Sequence, residues 1–287
     1  AASAGSGPDV SLRLISEQLS KKWGQSVVVD NRPGGNGVVA YNAFRGSNPD
    51  GHDLIHLDST MLTSNVHLYS KLPYDPQKDF DPIRPTLQTD FFVVVGKDSP
   101  YNSIDDIVSA ARAKPDILNY GSWGQGSPGH LGALRLQSTT GTRMQHVPYK
   151  GAAPALTDVL GGQIETALVG TPAALPYVRS GKLIPLGITS LKRSPNAPEI
   201  PAISEFLPKF EVELVYAIVA PANTPKTIIE KLNSQLNVVL NNPEIKSQIN
   251  GKGFEIVTSS PNQLGDYIKS EVTKWGSIVK KSGATAE

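Results

Sequence analysis

The sequence predicts an α/β protein of two units, each a mostly parallel sheet flanked by helices. Three observations carry the prediction. Short apolar extended runs alternate with helical runs along most of the chain, the alternation restarts after FFVVVG (91–96), and two amphipathic helices follow a last extended run at 211–220. Parallel neighbours need a crossover, and crossover helices cover both faces of the sheet, which is what this alternation supplies. At 287 residues the chain is long enough to bury two cores.

Taken in order, Leu12, Ile15, Leu19 and Trp23 are spaced three and four apart and predict a helix over 10–23, with Asp9 as N-cap and Gly24 as stop. SVVVD (26–30) is expected as a buried strand. RPGGNG (32–37) then turns into a helix at 38–45, and DLIHLD (53–58) returns as a strand. After the strand at 91–96 come helix 104–113, strand 118–120, helix 129–138, strand 146–148, helix 153–160, strand 164–169, helix 172–180 and strand 183–189. Ile228, Ile229, Leu232, Leu236 and Val239 mark one tail helix; Leu264, Ile268, Trp275 and Ile278 mark the other. Tail helices folding back on the first unit give units of 1–96 plus 221–287 and of 97–220, with a ligand cleft expected where two lobes meet.

Composition excludes several classes. Lys and Arg total 27 against 26 Asp and Glu, so a net charge of +1 provides no field to draw nucleic acid or anionic lipid. Cysteine is absent, which removes disulfides, thiolate nucleophiles and Cys-based metal sites. No run of about 18 apolar residues is present to span a bilayer, and AASAGSGPD has no signal-peptide pattern; if the protein is exported, its signal is expected to have been removed.

From 118 to 165, an extended run twice breaks into a Gly/Ser/Pro turn that opens onto a helix. The first N–H groups of a helix have no partner within it, and the macrodipole adds about half a positive charge, so such a start holds a carboxylate without Arg or Lys. Reactive side chains beside these starts are few. Gly35-Asn36-Gly37-Val38-Val39-Ala40 fits the G-x-G-x-x-A dinucleotide pattern, but Arg32, Pro33 and Gly34 lengthen a connection that the pattern needs tight, which favours a structural glycine turn. GSWGQGS (121–127) outlines a phosphate loop without its lysine, the place being Ser127 followed by Pro128. Ser127 and His130 admit an α/β hydrolase reading; a nucleophile elbow needs glycine where Gln125 stands. The competing reading makes Ser127 an N-cap or ligand hydrogen-bonder and His130 a cleft or packing residue. His52 and His56, four apart in a strand, lie about 13 Å from each other, too far to share a metal.

The run YKGAAPALTDVLGGQ (149–163) resembles the tripartite tricarboxylate transporter solute receptors, also called the Bug family. The likeness continues through ALP (174–176), RSGKL (179–183), TSLKRSP (189–195), VVDNRPGGNG (28–37), KLPYDPQKDF (71–80), residues 119–130 and Ala220-Pro221, nearly the whole chain. The resemblance implies a two-lobed, periplasmic-binding-protein-like (type II) fold. It also implies a monomeric periplasmic receptor that captures a small carboxylate and presents it to a membrane permease, with no catalysis, cofactor or metal. By position, it implies that one carboxylate is held at the first glycine loop, with Ser3, Gly5, Ser6, Gly7 and Asp9. The other end falls to Trp123, Gly126, Ser127, His130, Tyr149 and Ala152, with Ser59, Thr60, Thr171 and Tyr216 lining the pocket.

Three departures qualify what is carried over. Relatives begin with a strand just before the first glycine loop, so one is expected ahead of Ala1. Trp123 stands where a small or polar residue is usual, and Val169-Gly170-Thr171 replaces a stretch with an acid and an Asn, which argues against amine binding there. The expected ligand is an organic dicarboxylate, either aliphatic or an aromatic acid such as terephthalate stacked on Trp123 and Tyr216.

Overall fold

The computed structural model describes all residues except Pro195, Asn196, Thr258 and Glu287; Pro195, which ends the TSLKRSP motif, thus lies outside the described residues. In chain order the elements are α1 (Gly7–Trp23), α2 (Val38–Phe44), β1 (Ile55–Asp58), α3 (Ser59–Thr63), α4 (Asn65–Leu68), β2 (Phe80–Gly96) and α5 (Ile104–Ala113). They continue with β3 (Asn119–Ser122), α6 (Pro128–Thr140), β4 (Gln145–Pro148), α7 (Ala152–Leu160), β5 (Thr166–Gly170), α8 (Thr171–Arg179) and β6 (Leu183–Ile188). The last are β7 (Glu213–Pro221), α9 (Lys226–Leu240), α10 (Pro243–Gly251), β8 (Glu255–Ile256) and α11 (Pro261–Ser282).

The chain forms two compact units, Ala1–Gln88 with Leu214–Gly276 and Thr89–Glu213 with Ser277–Ala286. The changeovers fall earlier than the 96/97 and 220/221 read from sequence because β2 is one 17-residue strand, of which FFVVVG is the end. The last turn of α11 and the residues after it belong to the second unit, where the sequence reading gave the whole tail to the first.

In the first unit β1 pairs antiparallel with β7, setting Ile55 opposite Val219 and Asp58 opposite Tyr216. Apolar residues of α1 and α9 meet in one cluster, Ile15 and Leu19 with Ile229, Leu232, Leu236 and Leu240. A second cluster joins Tyr41 and Phe44 of α2 to Tyr74 and Phe80. Gly37 turns the chain into α2 at φ +92°, and a Cβ there would overlap the Met61 side chain, so the glycine-rich turn is a packing device and not a nucleotide fingerprint.

Two local expectations are corrected here. Helix α1 starts at Gly7 with Ser6 as N-cap, not Asp9, because Pro8 has the φ and the missing N–H that suit a first turn; Gly24, at φ +65°, closes it as expected. SVVVD is not a strand. Its alternation survives, with Val27 and Val29 half-buried and Val28 82% exposed, but its backbone has no ladder partner among the described residues. Val27 and Val29, with Leu12, Ile15, Leu19 and Ile55, line a cavity of about 940 Å³.

In the second unit β3 lies parallel to both β4 and β5, Tyr120 facing His146 on one side and Thr166 on the other. Beyond β5 the ladder turns antiparallel, since β2 runs antiparallel to β5 and β6. Phe92, Val94, Leu156, Val159, Ala167, Val169 and Leu175 form the core; full burial of each large apolar side chain contributes about 1.5–3 kcal/mol. Helix α5 matches its predicted span and is capped by Ser103, which accepts from the Asp106 N–H at 3.1 Å. Among the described residues no helix is long and apolar enough to cross a membrane.

Candidate ligand-binding site

The first unit offers a glycine loop that opens onto α1. Ser3 O accepts from both Ser6 N (3.2 Å) and Ser6 Oγ (2.6 Å), and Gly5 sits at φ +77°. No side chain caps α1, so the first-turn amides of Gly7 and Asp9 stay outside any helical bond while Pro8 has none to offer. The Asp9 side chain turns inward and is 3% exposed as a residue. It accepts from Gly5 N (2.8 Å), Asn31 Nδ2 (2.8 Å) and Arg13 Nε (3.2 Å), and Arg13 Nη2 in turn holds Asn31 Oδ1 at 2.7 Å. Burial alone would raise the Asp9 pKa, but the bonds from Asn31, Gly5 and Arg13 outweigh it and hold the carboxyl below its ordinary range. Asp9 therefore braces the loop from inside.

At the end of β1, Asp58 accepts from Thr60 N at 3.0 Å and caps α3. Ser59 Oγ is occupied by the Val215 N–H (3.3 Å), and Ser59 and Thr60 are both buried. Tyr216 stacks on His56 at 5.7 Å, and its phenol is pushed up by burial and then by the charge of Asp58.

The second unit has two helix starts, and they differ. At α6, Ser127 is 2% exposed; its Oγ accepts from His130 N (3.3 Å) and donates to Ser122 Oγ (3.2 Å). The Gly126 N–H donates to His130 Nδ1 at 3.0 Å, which leaves the ring proton of neutral His130 on Nε2. The His130 ring stacks on His146 at 4.0 Å and 11°, and His146 is itself held by Ser122 Oγ (2.7 Å) and Gln125 Oε1 (3.1 Å). Burial lowers His130 to about 3, helped by His146, and lowers His146 to about 4. At this start side chains of the protein take up the His130 and Gly126 N–H groups. Ser127 meets His130 through the backbone and not the ring, so the Ser127–His130 pair that the hydrolase reading needs is not formed.

At α7 the start is open: Gly151, at φ +125°, is the N-cap, no side chain caps the helix, and Ala152 and Ala153 present amides before Pro154. Tyr149 flanks it, its hydroxyl donated to Asp158 Oδ2 at 2.6 Å and its pKa pushed up to about 12 by burial and by that carboxylate. Trp123 stacks on Phe91 at 5.6 Å. Gly129 admits the indole, since a Cβ there would crowd the Trp123 ring and collide with Leu168 O. Thr171 is 1% exposed and gives its hydroxyl to Asp90 Oδ1 at 2.5 Å, so it lines the interior and not an open pocket. The other Asp90 oxygen takes Ser190 Oγ at 3.1 Å, and burial pushes this carboxyl up against the pull of both hydroxyls.

Of the residues read from sequence, Ser3, Gly5, Ser6, Gly7 and Asp9 come together in one loop, as do Ser59, Thr60 and Tyr216 around the end of β1. Trp123, Gly126, Ser127 and His130 share another loop, and Tyr149 and Ala152 frame α7. Sequence reasoning missed Asp58, Asp90, Asn31 and His146. Only Asp58 carried a local signal, an Asp directly before Ser-Thr in the manner of an N-cap.

A model of the family described as "Tripartite tricarboxylate transporter family receptor" matches residues 11–284. Protein BugT of Bordetella pertussis is 30% identical over 282 residues, covering 98% of this chain and 86% of BugT. Among solved structures, R. palustris Rpa4515 with adipate is similar at TM-score 0.89 and 31% identity, covering 99% of this chain and 95% of that one. MatC (Rpa3494) from Rhodopseudomonas palustris with bound malate is similar at TM-score 0.84 and 28% identity, covering 97% and 96%.

Proposed function

Because this chain belongs to the tripartite tricarboxylate transporter receptor family, we propose that it binds a small dicarboxylate through main-chain amides and hands it to a membrane permease. It is a solute-binding receptor and not an enzyme, like its structural neighbours. The observation that carries the proposed ligand class is the pair of helix starts without side-chain caps, α1 in the first unit and α7 in the second, each offering an anion cradle. Adipate and malate in two similar structures support a diacid of four to six carbons. Charge-assisted hydrogen bonds contribute about 1.5–3 kcal/mol each, so three or four net of ordering costs reach micromolar affinity, about −8 kcal/mol. Terephthalate is the aromatic alternative, with the half-buried Trp123 ring as its stacking surface. The receptor works as a monomer in the periplasm under this proposal.

The test is thermal unfolding of the full chain with succinate, malate, adipate, terephthalate and citrate. A ligand at about 100 times its dissociation constant adds about 2.7 kcal/mol and moves the transition by several degrees. The proposal expects this for at least one dicarboxylate and is overturned if none shifts it.

A further inference from the structure

In the second unit the β3–α6 loop and the turn into α7 are rich in glycine, and a histidine outside the proposed carboxylate contacts ties them down. Gly124 stands at φ +136°, Gly126 at +71° and Gly151 at +125°, so the backbone around the open start of α7 has few conformational restraints of its own. Tyr149 N donates to Ser122 O at 2.9 Å, and a Cβ on Gly124 would lie 3.7 Å from Tyr149 O, which sets the loop directly against the turn. His146, three residues before Tyr149 on β4, reaches into this junction.

The bonds of that ring have a fixed direction. Gln125 Oε1 can only accept, so at 3.1 Å His146 Nδ1 carries the proton, and the bare Nε2 takes the Ser122 hydroxyl at 2.7 Å. Ser122 Oγ in turn accepts from Gly124 N at 3.3 Å and from Ser127 Oγ at 3.2 Å. One side chain of β4 therefore holds the loop at two points, at Ser122 where β3 ends and at Gln125 beside Gly126. The two bonds are unequal, because Ser122 is fully buried and Gln125 is exposed to water. The ring stacks on Tyr120, its cross-strand partner, at 5.1 Å and on His130 at 4.0 Å. Burial lowers its pKa to about 4, so at neutral pH it is the uncharged ring that this bonding needs.

A ligand held by main-chain amides binds best when those amides are fixed before it arrives, because ordering a loop on binding subtracts from the affinity. We propose that His146 is a positioning residue of the ligand site: through Ser122 and Gln125 it fixes the β3–α6 loop, and with it the Tyr149–Gly151 turn, in the shape that receives a carboxylate at α7. The inference rests on the carboxylate-receptor reading above and adds the side chain that preorganises the cradle of the second unit. His146 makes no ligand contact in it and acts through Ser122, the stronger of its two anchors.

The experiment is calorimetric titration of the full chain at pH 7 with succinate, malate and adipate, on the wild type, His146→Phe, His146→Gln, His146→Asn and Ser122→Ala, each also melted without ligand. His146→Phe keeps an aromatic ring for Tyr120 and His130 and loses both hydrogen bonds; the Ser122 hydroxyl still has Gly124 O at 3.1 Å, so no buried donor is stranded and the variant is expected to fold. It is expected to weaken the tightest of the acids about tenfold, as is Ser122→Ala, in which every ring is intact. His146→Gln can set Oε1 where Nε2 stands and accept from Ser122, and is expected to recover affinity to within about threefold of the wild type; His146→Asn, which reaches only Gln125, is not. A ring that merely packs gives the opposite order, with His146→Phe binding like the wild type and His146→Gln weakened. That order, or His146→Gln binding no better than His146→Asn, overturns this inference and leaves the dicarboxylate reading standing. Should His146→Phe fail to fold, wild-type affinity in Ser122→Ala overturns it by itself. If none of these acids binds the wild type, the receptor reading for dicarboxylates falls, and this inference with it.

Discussion

Replacing Asp9 by Ala tests whether the glycine loop before α1 is braced from inside. The carboxylate is buried and takes three bonds, from Gly5 N, Asn31 Nδ2 and Arg13 Nε. Hydrogen bonds to a charged group contribute about 1.5–3 kcal/mol each. The Arg13 side chain is 50% exposed, so solvent screening limits that pair to about 1 kcal/mol or less. The variant also sheds the cost of burying the carboxylate, and Asn31 Nδ2 keeps its second acceptor, Ala2 O, at 3.1 Å. The expected net loss is about 2–4 kcal/mol, or a fall of about 5–12 °C in the melting temperature of the first unit. Asp9→Asn, which can accept one bond but not three, is expected to recover about half. Because the folded pKa is depressed, the contribution is complete above the ordinary carboxylate value of 3.8 and is lost as pH falls through the folded value. Urea denaturation followed by tryptophan fluorescence at pH 7 and pH 3 checks both points. A gap between wild type and Asp9→Ala below about 0.5 kcal/mol, or one that stays the same at the two pH values, refutes the reasoning.

Three other perturbations follow from the same geometry. Ser127→Ala removes an N-cap and the bond to Ser122 and is expected to cost about 1–2 kcal/mol of stability with diacid affinity changed less than about threefold, read by denaturation and calorimetry. Gly129→Ala forces a methyl against Leu168 O and the Trp123 ring, costing about 1–3 kcal/mol or more and changing the Trp123 emission. His56, buried and neutral with its pKa lowered to about 3, makes stability fall as pH drops below 6.5, because the unfolded chain takes up a proton that the folded one refuses. Between about pH 6 and pH 4, His56→Leu is expected to reduce the slope of stability against pH by about 1.4 kcal/mol per pH unit, measured by a series of urea titrations.

Most of the architecture was legible because it is written in local pattern. The three- and four-residue spacing of Leu12, Ile15 and Leu19 fixes one buried face of a helix, and Gly24 marks its end by backbone conformation alone. The α5 span was predicted to the residue. SVVVD misled because alternation states which side chains are suited to burial but not whether a neighbouring strand supplies hydrogen bonds. Asp9 misled in the same way: an acid ahead of an apolar run reads as an N-cap, yet Pro8 lets the helix begin three residues earlier and leaves the acid inside the first turn. Short helices α3 and α4 and the two-residue β8 carry too few residues to show a period at all.

By itself, the sequence determined the alternation of strands and helices, the absence of thiol chemistry and of a strong electrostatic field, and the glycine-led turns that open α6 and α7. Which helix start stays open was decided only in three dimensions. Ser127 and Gly151 both precede a helix, but the first has a hydroxyl within reach of the His130 N–H and the second has no side chain to spend. The stack of His130 on His146, the bond from Ser122 to His146 and the pairing of Asp58 with Tyr216 join residues 16, 24 and 158 positions apart. Contacts at that separation depend on strand register and on what the sheet brings alongside, and no local pattern encodes either.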